Sequence, residues 1–490
     1  MYYLKLFDDH TEYETFTQGD GFIKPNVSRC VQENEVHYNP KTWADVYFTI
    51  ESLEDNNTIY LKASNSAVTK TISASTDDGA TWTEYTSSTG DSGTTLAILN
   101  DGDRLLVKGE NSAYATSGII YNQFKSTKQF EVKGNIMSLV SGDSFANADG
   151  LTATYTFGSL FLKCTGLTFA GNLSLPATTL SSNCYRDMFW GCASLTTAPQ
   201  LPATTLAQAC YNSMFWGCAN LTTAPQLPAT TLASSCYNSM FWGCASLTTA
   251  PELPAKTLTQ SCYGSMFEKC TSLTTAPVLP ATTLADNCYY DMFEGCTSLT
   301  TAPELPATAL AKSCYQKMFQ GCTSLTTAPS VLPATTLTYI CYDNMFYGCA
   351  SLTTAPELPA TTLAESCYNG MFMNCTSLTT TPGLPSMTLV NNCYSYMFSN
   401  CTRLITAPIL PATKLVERCY YSMFQGCRNL NYIKAMFTTT PSGSSPDFYT
   451  TNWVNGVAST GTFVKNAAAN WNVTGVNGIP SGWTAQTATA

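Results

Sequence analysis

The chain has 490 residues and a net charge of −10, and only 11% of its residues are charged, whereas an ordinary soluble domain has about 25%. This acidic balance argues against nucleic-acid binding, which requires a basic surface. No run of about 18 apolar residues is present, so no membrane insertion is expected, and the start MYYLKLFDDHTEYE lacks the basic and apolar regions of a signal peptide.

Residues 1–40 are predicted to form an N-terminal arm or attachment segment. The runs LKLFDDHTEYE and KPNVSRCVQENEVHYNP resemble the opening of structural proteins of gut Bacteroides and their phages. This resemblance implies a virion origin as an alternative to a bacterial cell surface. The missing signal peptide fits the alternative, because virion proteins leave the cell by lysis. Cys30 would then be an isolated thiol.

Residues 41–135 are predicted to form a β-sandwich, because about seven short runs, from DVYFTIES to FEVKG, alternate in the manner of strands. Within them, Ser75 to Trp82 reads STDDGATW, which resembles the Asp-box S-x-D-x-G-x-T-W of sialidase propellers. There the motif braces a hairpin and is not catalytic. A single copy without an arginine triad argues against a sialidase. The sandwich is expected to be a spacer or a carbohydrate-binding module.

The middle of the chain is an internal repeat. The unit C-Y-x-x-M-F-x-x-C occurs ten times at intervals of 26 residues, with one interval of 27 beside Val331. A second motif, S-L-T-T-A-P-x-L-P-A-T-T-L, runs between the copies. A fixed period of this length predicts a solenoid in which each unit stacks on its neighbours.

The nine-residue unit fits one face of a helix. At 100° per residue its apolar positions fall on one inward arc of about 140°, and Trp242 falls on the opposite side. The L-T-T-A segment is predicted to be a short parallel strand that the following prolines end, because proline has no N–H for a ladder. The inward set in one copy is Cys236, Tyr237, Met240, Phe241 and Cys244.

The cysteines are predicted to be buried thiols. Two cysteines eight residues apart on a helix are ~12 Å apart, beyond the limit of about 7 Å between the Cα atoms of a disulfide. Zinc needs four converging ligands, which this spacing does not supply. The terminal unit at 453–463 has Val457 in the slot of the second cysteine, which indicates a small apolar group there. Some disulfides, for example Cys192 to Cys210, or metal or redox chemistry are the alternatives.

The repeat resembles a known family. The pattern M-F-x-G-C-x-S-L-T-x-A-P-x-L-P, over about residues 160–463, is similar to the A-F-x-x-C-x-x-L-x-x-I-x-I-P unit of BspA-like leucine-rich repeats, surface proteins of Bacteroides-type bacteria and some protozoa. The resemblance implies a curved solenoid used for adhesion or protein binding.

The predicted fold class is therefore α+β. An N-terminal β-sandwich is followed by a curved leucine-rich-repeat solenoid of about ten 26-residue units with degenerate capping repeats. The solenoid with its N-terminal cap is predicted over 136–436, and a C-terminal capping region over 437–490.

The candidate ligand-binding residues are Trp190, Trp216, Trp242 and Tyr347, which share the outward position of their units. The three tryptophans occupy consecutive units and are expected to form an exposed aromatic stripe, which indicates contact with a protein or a sugar. A stripe packed beneath the sandwich, or used in assembly, is the alternative.

No catalytic residue, cofactor or metal site is predicted. Catalysis needs groups within hydrogen-bond reach of one another, and no such constellation is evident. Glu252, Glu304 and Glu357 share a repeat position, but successive members are two turns, ~10 Å, apart, too far to share a calcium ion.

The predicted function is a non-enzymatic adhesin or binding scaffold, outside the cell or on its surface, that presents the repeat surface to a host protein or glycan. The alternative is a phage virion appendage for host recognition on a tail or capsid, and a third hypothesis is a glycan-active enzyme. Sequence does not predict the oligomeric state.

Overall fold

A computed structural model describes residues 2–4, 14–16, 43–90, 93–444 and 448–488. Strands β1 (Tyr2–Leu4) and β2 (Glu14–Phe16) pair antiparallel. The rest of the predicted arm, with Cys30, lies outside the described residues. Helices within these ranges do not reach the length and apolarity that crossing a bilayer requires.

The N-terminal region contains two packed β-sheets, as predicted for a sandwich. Phe48 and Phe124 come from different sheets, are both fully buried, and have ring centroids 5.4 Å apart. The strands are β3 (Phe48–Ser52), β4 (Asn57–Ala63), β5 (Thr71–Ser75), β6 (Thr83–Thr86), β7 (Thr94–Leu99), β8 (Arg104–Lys108), β9 (Ala115–Ser117), β10 (Ile120–Ser126) and β11 (Phe130–Asn135).

Two of these strands, β9 and β10, were not predicted. In β10 the consecutive residues Asn122, Gln123 and Phe124 are all buried, so the alternation that reveals a strand is lost there. The Asn122 side chain is held by the Ser87 hydroxyl, at 2.6 Å, which compensates its burial.

The Asp-box braces the hairpin between β5 and β6. The hydroxyl of Ser75 and the backbone N–H of Thr81 both donate to Asp77 Oδ1, at 2.6 and 2.9 Å. These bonds hold the pKa of Asp77 at about 2, because they stabilise the charged carboxylate. The motif therefore has the structural role that its resemblance implied.

The sandwich and the repeats share one sheet. Strand β12 (Leu167–Ser174) belongs to the first repeat and pairs parallel with β11. The six-stranded sheet has the order β12-β11-β3-β8-β5-β6, and the four-stranded sheet has the order β7-β4-β10-β9. The sheet thus crosses the predicted boundary at 135/136. Short helical turns lie at Trp43–Asp45, Ser138–Ser141 (α1) and Gly142–Asn147.

The segment that carries C-Y-x-x-M-F-x-x-C is a ribbon of turns, and the predicted helix is wrong. In residues 209–218 every second backbone N–H donates to the carbonyl oxygen three residues earlier, as from Met214 to Tyr211 at 3.2 Å. The N–H groups in between donate to the next repeat, as from Phe215 to Met240 at 2.9 Å. A helix would keep all these bonds within its own segment. The helical half of the predicted α+β class therefore fails in the repeats.

The turns recur every four residues because the backbone takes a positive φ at that interval. In this unit φ is 50° at Ala209, 53° at Ser213 and 72° at Gly217. Pairs of core-facing residues consequently alternate with pairs on the other side of the ribbon, so that Cys-Tyr and Met-Phe still face the core. Over only nine residues a four-residue period and a helical period bury the same positions, which is why periodicity could not separate them.

Identical side chains form columns through the repeats, which confirms that each unit stacks on its neighbours. The phenylalanines from Phe189 to Phe424 lie parallel with successive centroids 5.4–5.8 Å apart. Parallel backbone bridges join the T-T-A segments, as between Thr197 and Thr223. Most of the predicted strands of the repeats are therefore single bridges. The curvature of the stack and the exact number of units stay predictions.

All 21 cysteines within the described residues are free and buried, so the prediction of buried thiols is confirmed there and Cys192 does not bridge to Cys210. The second cysteine of each unit also has a polar role that was not predicted. The Cys244 thiol donates to the Phe215 carbonyl oxygen of the preceding unit at 3.2 Å. The same contact, at 3.0–3.2 Å, recurs in ten units.

The C-terminal unit keeps the register predicted for 453–463. Trp453 occupies the methionine slot, since its carbonyl oxygen accepts the Phe424 N–H at 2.8 Å, and Val457 follows in the cysteine slot. The core ends in a parallel sheet of three strands: β13 (Tyr432–Ala435), β14 (Thr462–Lys465) and β15 (Thr484–Thr487).

Candidate functional site

The three predicted tryptophans form one closed stack. The ring centroids of Trp190 and Trp216 are 4.5 Å apart with planes 7° from parallel, and those of Trp216 and Trp242 are 4.3 Å apart at 10°. The turn ribbon places these side chains at the same point of three consecutive units. Backbone N–H groups of each unit donate to carbonyl oxygens of the next, as from Gly191 to Trp216. Aromatic contacts of this kind contribute about 0.5–1.5 kcal/mol per pair beyond the buried area.

A lysine covers each end of the stack. The Lys163 ammonium lies 4.7 Å from the Trp190 ring centroid, and the Lys269 ammonium lies 4.4 Å from that of Trp242. Both lysines stand where most other units have glycine. A cation is attracted to an indole face. Lysine in place of glycine at the two ends of the tryptophan run was therefore a signal in the sequence for this arrangement.

We define the tryptophan stack as Lys163, Trp190, Trp216, Trp242 and Lys269. Its indoles are partly buried, whereas an exposed stripe was predicted, because each ring face is covered by another ring or by an ammonium group. The ring edges remain toward solvent. Within the described residues the three indole N–H groups have no hydrogen-bond partner, and none of them is fully buried.

The fourth predicted residue, Tyr347, lies apart from the stack. It occupies the same position of a later unit and is partly buried, but Glu268, Glu294 and Gln320 fill that position in the units between. The Gln320 side-chain amide donates to the Glu294 carboxylate at 2.8 Å, which makes the intervening surface polar. The column is therefore aromatic at one end, acidic in the middle and aromatic again at Tyr347.

A second exposed surface follows the T-T-A segments. Residues 274–278 and 300–304 line a shallow, open groove of about 460 Å³ between two units. Val278 projects from it with 80% of its surface exposed. An open groove cannot surround a small molecule, so this face suits contact with a large partner.

The structure brings together three carboxylates that the sequence did not indicate. Carboxylate oxygens of Glu268, Asp291 and Glu294 all lie within 4.8 Å of one another. Glu268 and Glu294 share a column position in successive units, while Asp291 precedes Glu294 by three residues. Only the stacking of units brings them to one point.

The thiols are chemically protected. Burial raises the pKa of Cys164 to about 11 and that of Cys184 to about 12, so that the nucleophilic thiolate is scarce at neutral pH. Burial acts in the same direction on the other described cysteines. These groups suit a packed core, not redox or nucleophilic chemistry.

Comparison with known proteins identifies the repeats. The family model described as BspA type Leucine rich repeat region matches residues 159–300, 234–379 and 312–445, in six copies, and these matches span more than half of the chain. No curated protein matches the chain.

Two solved structures are similar to part of the chain. One is a leucine-rich repeat protein from Bacteroides ovatus ATCC 8483, with 16% identity and a TM-score of 0.30, covering 69% of this chain and 96% of that one. The other comes from the TLR13–ssRNA13 complex, with 12% identity and a TM-score of 0.25, and the match covers 63% of this chain and 45% of that one. Because both TM-scores are low, the assignment rests on the family model.

Proposed function

The chain belongs to the BspA-type leucine-rich repeat family, and from this premise we propose that it is a non-enzymatic surface scaffold that binds a host surface protein. Proteins of this family are generally binding scaffolds exposed at a surface. The proposed site is the edge of the tryptophan stack, with Tyr347 as a separate outlying contact.

The observation that carries the proposal is the rigidity of the stack. Three indoles and two ammonium groups are already ordered against one another, so binding through them loses little side-chain entropy. Tryptophan is among the residues most enriched in the energetic centres of protein interfaces. The exposed indole N–H groups and the flanking ammonium groups suit carbonyl and carboxylate acceptors on a partner.

The stack fits a protein better than a glycan. A sugar ring binds to an open aromatic face, and here each face of Trp190, Trp216 and Trp242 is covered. The edges of the rings can still contact a folded protein surface. The virion alternative arose from residues 1–40, nearly all of which lie outside the described residues.

The test is a binding screen of the intact chain against host extracellular proteins, mucins and capsular polysaccharides. Two variants are compared with the wild type, one with Trp190, Trp216 and Trp242 all replaced by Ala and one with all three replaced by Phe. Tyr339→Ala is the matched control, since Tyr339 is an exposed aromatic residue on another column. Thermal melts establish that each variant is folded.

We expect a protein ligand whose affinity falls at least tenfold, or about 1.4 kcal/mol, in both tryptophan variants and is unchanged by Tyr339→Ala. The Phe variant keeps stacked rings but loses the indole N–H edge, so it separates loss of contact from loss of folding. Unchanged binding affinity in a folded Phe variant would show that the tryptophan stack is not the binding site. A screen without any ligand would contradict the scaffold function.

A further inference from the structure

The acidic cluster is defined as Glu268, Asp291 and Glu294, and it adjoins the tryptophan stack. Glu268 takes the position that Trp242 holds in the preceding unit, and Glu294 takes it in the following unit. The cluster is the one group of three or more metal-ligating side chains that converge among the described residues. Elsewhere in the column neutral residues such as Gln320 occur.

Asp291 lies on the outward side of the turn ribbon, in the slot that Ser265 has in the preceding unit, and is nevertheless buried. Only 6% of its surface is exposed, and its Oδ1 atom is buried with no hydrogen-bond partner among the described residues. A buried polar oxygen without a partner costs about 1–3 kcal/mol, and a buried unpaired charge costs more. The residue at this position in the neighbouring units is Ser265 or Lys317, so the fold itself does not demand a carboxylate here.

The neighbouring cations do not neutralise the cluster. The Lys269 ammonium is 3.5 Å from Glu268 Oε1, but it also covers the Trp242 ring. The Lys317 ammonium lies 6.0 Å from the centroid of the Tyr290 ring and forms no ion pair with the three carboxylates within the described residues. Three carboxylates thus face one another with too little positive charge.

We propose that Glu268, Asp291 and Glu294 form a calcium site. Ca²⁺ binds carboxylate oxygens at about 2.3–2.6 Å, so ligands on opposite sides of the ion are separated by up to about 5 Å. The three carboxylate oxygens lie within 4.8 Å of one another, so one ion can contact all of them. Ca²⁺ accepts irregular sets of six to eight oxygen ligands, whereas Mg²⁺ requires near-octahedral geometry. Glu268 and Glu294 are partly exposed, which leaves room for water to complete the coordination.

Bound calcium would tie two consecutive units together. Glu268 belongs to one unit and Asp291 and Glu294 to the next, so the ion bridges the interface on which the stacking of repeats depends. With three protein carboxylates and the remaining ligands water, affinity falls in the range of extracellular modules, with Kd about 10⁻⁴–10⁻³ M. Lys269 contacts both the cluster and the tryptophan stack, but calcium binding at the cluster does not require a partner at the stack.

The test uses thermal melting of the full chain in chelator, in Ca²⁺ and in Mg²⁺, at concentrations up to about ten times the expected Kd. Asp291→Asn is the principal variant, and Glu294→Gln is the second in case the first does not fold. Glu252→Gln is the matched control, because Glu252 is an exposed carboxylate of the repeats outside the cluster. Luminescence of Tb³⁺ bound in place of Ca²⁺, excited through the nearby aromatic residues, reports binding directly.

We expect Ca²⁺ to raise the melting temperature of the wild type and of Glu252→Gln, and Mg²⁺ to have a smaller effect. In Asp291→Asn the Ca²⁺-dependent rise in melting temperature and the Tb³⁺ signal disappear. Its melting temperature in chelator equals or exceeds that of the wild type, because one of three like charges is gone. An absent Ca²⁺ effect in the wild type, or an equal effect in Asp291→Asn, overturns the calcium site.

Discussion

Removal of the central indole tests whether the tryptophan stack stabilises the repeats. Trp216 contacts a ring on each side, so Trp216→Ala loses two stacking pairs at about 0.5–1.5 kcal/mol each, in addition to its buried area. With the indole partly buried, the total loss in unfolding free energy is about 3–5 kcal/mol. Tyr347→Ala, in the same column without ring stacking, should lose about 1–2 kcal/mol.

A double-mutant cycle isolates the stacking energy. Urea unfolding of Trp190→Ala, Trp216→Ala and the double variant is followed by circular dichroism and by fluorescence, and coincident transitions justify a two-state treatment. We expect a coupling of about 0.5–1.5 kcal/mol between Trp190 and Trp216. The control cycle, between Trp216 and Tyr347, should show none beyond about 0.3–0.5 kcal/mol. Equal coupling in the two cycles would refute the stacking argument.

Three further predictions concern the core and the hairpin brace. Cys236→Val should fold and Cys236→Asp should not, because a buried unpaired carboxylate costs several kcal/mol; a cooperative melt of the Asp variant would contradict this. Tyr263→Phe should stabilise the chain by ~1 kcal/mol, since its buried hydroxyl has no partner among the described residues, whereas Tyr114→Phe should destabilise it because that hydroxyl donates to Leu139; denaturant unfolding of both variants decides. Asp77, with a folded pKa of about 2 against an ordinary 3.8, stabilises the fold above pH ~4 and loses that contribution as the pH falls toward about 2, so Asp77→Asn should flatten the acid limb of a pH-dependent melt, and an unchanged limb would exclude this role.

The candidate site could be located from the sequence, but its form could not. The 26-residue period places Trp190, Trp216 and Trp242 in one column, and the structure keeps them there. The prediction of an exposed stripe considered the position of each tryptophan within its own unit and did not include the rings of the adjacent units. Stacked units bring identical rings into face-to-face contact, and the lysines at the borders then cover what remains.

The acidic cluster was missed for a related reason. Carboxylates that share one column, such as Glu252 and Glu304, are two units apart, so repeat position alone brings none of them together. Asp291 lies in a different column and meets Glu294 and Glu268 because the turn ribbon brings a residue three positions away to the same side. Proximity between columns depends on the true backbone conformation, which the predicted helix misrepresented.

The sequence by itself determined the period, the buried set, the thiol character of the repeat cysteines and the hairpin brace of the sandwich. Each of these follows from the residue type in one slot, repeated in every unit or held within one hairpin. Only the tertiary structure decided the turn ribbon, the closed tryptophan stack, the acidic cluster and the sheet shared by β11 and β12. The physical reason is that each depends on bonds or contacts between units: every second N–H of the ribbon finds its acceptor in the neighbouring unit, and no pattern within nine residues records that choice.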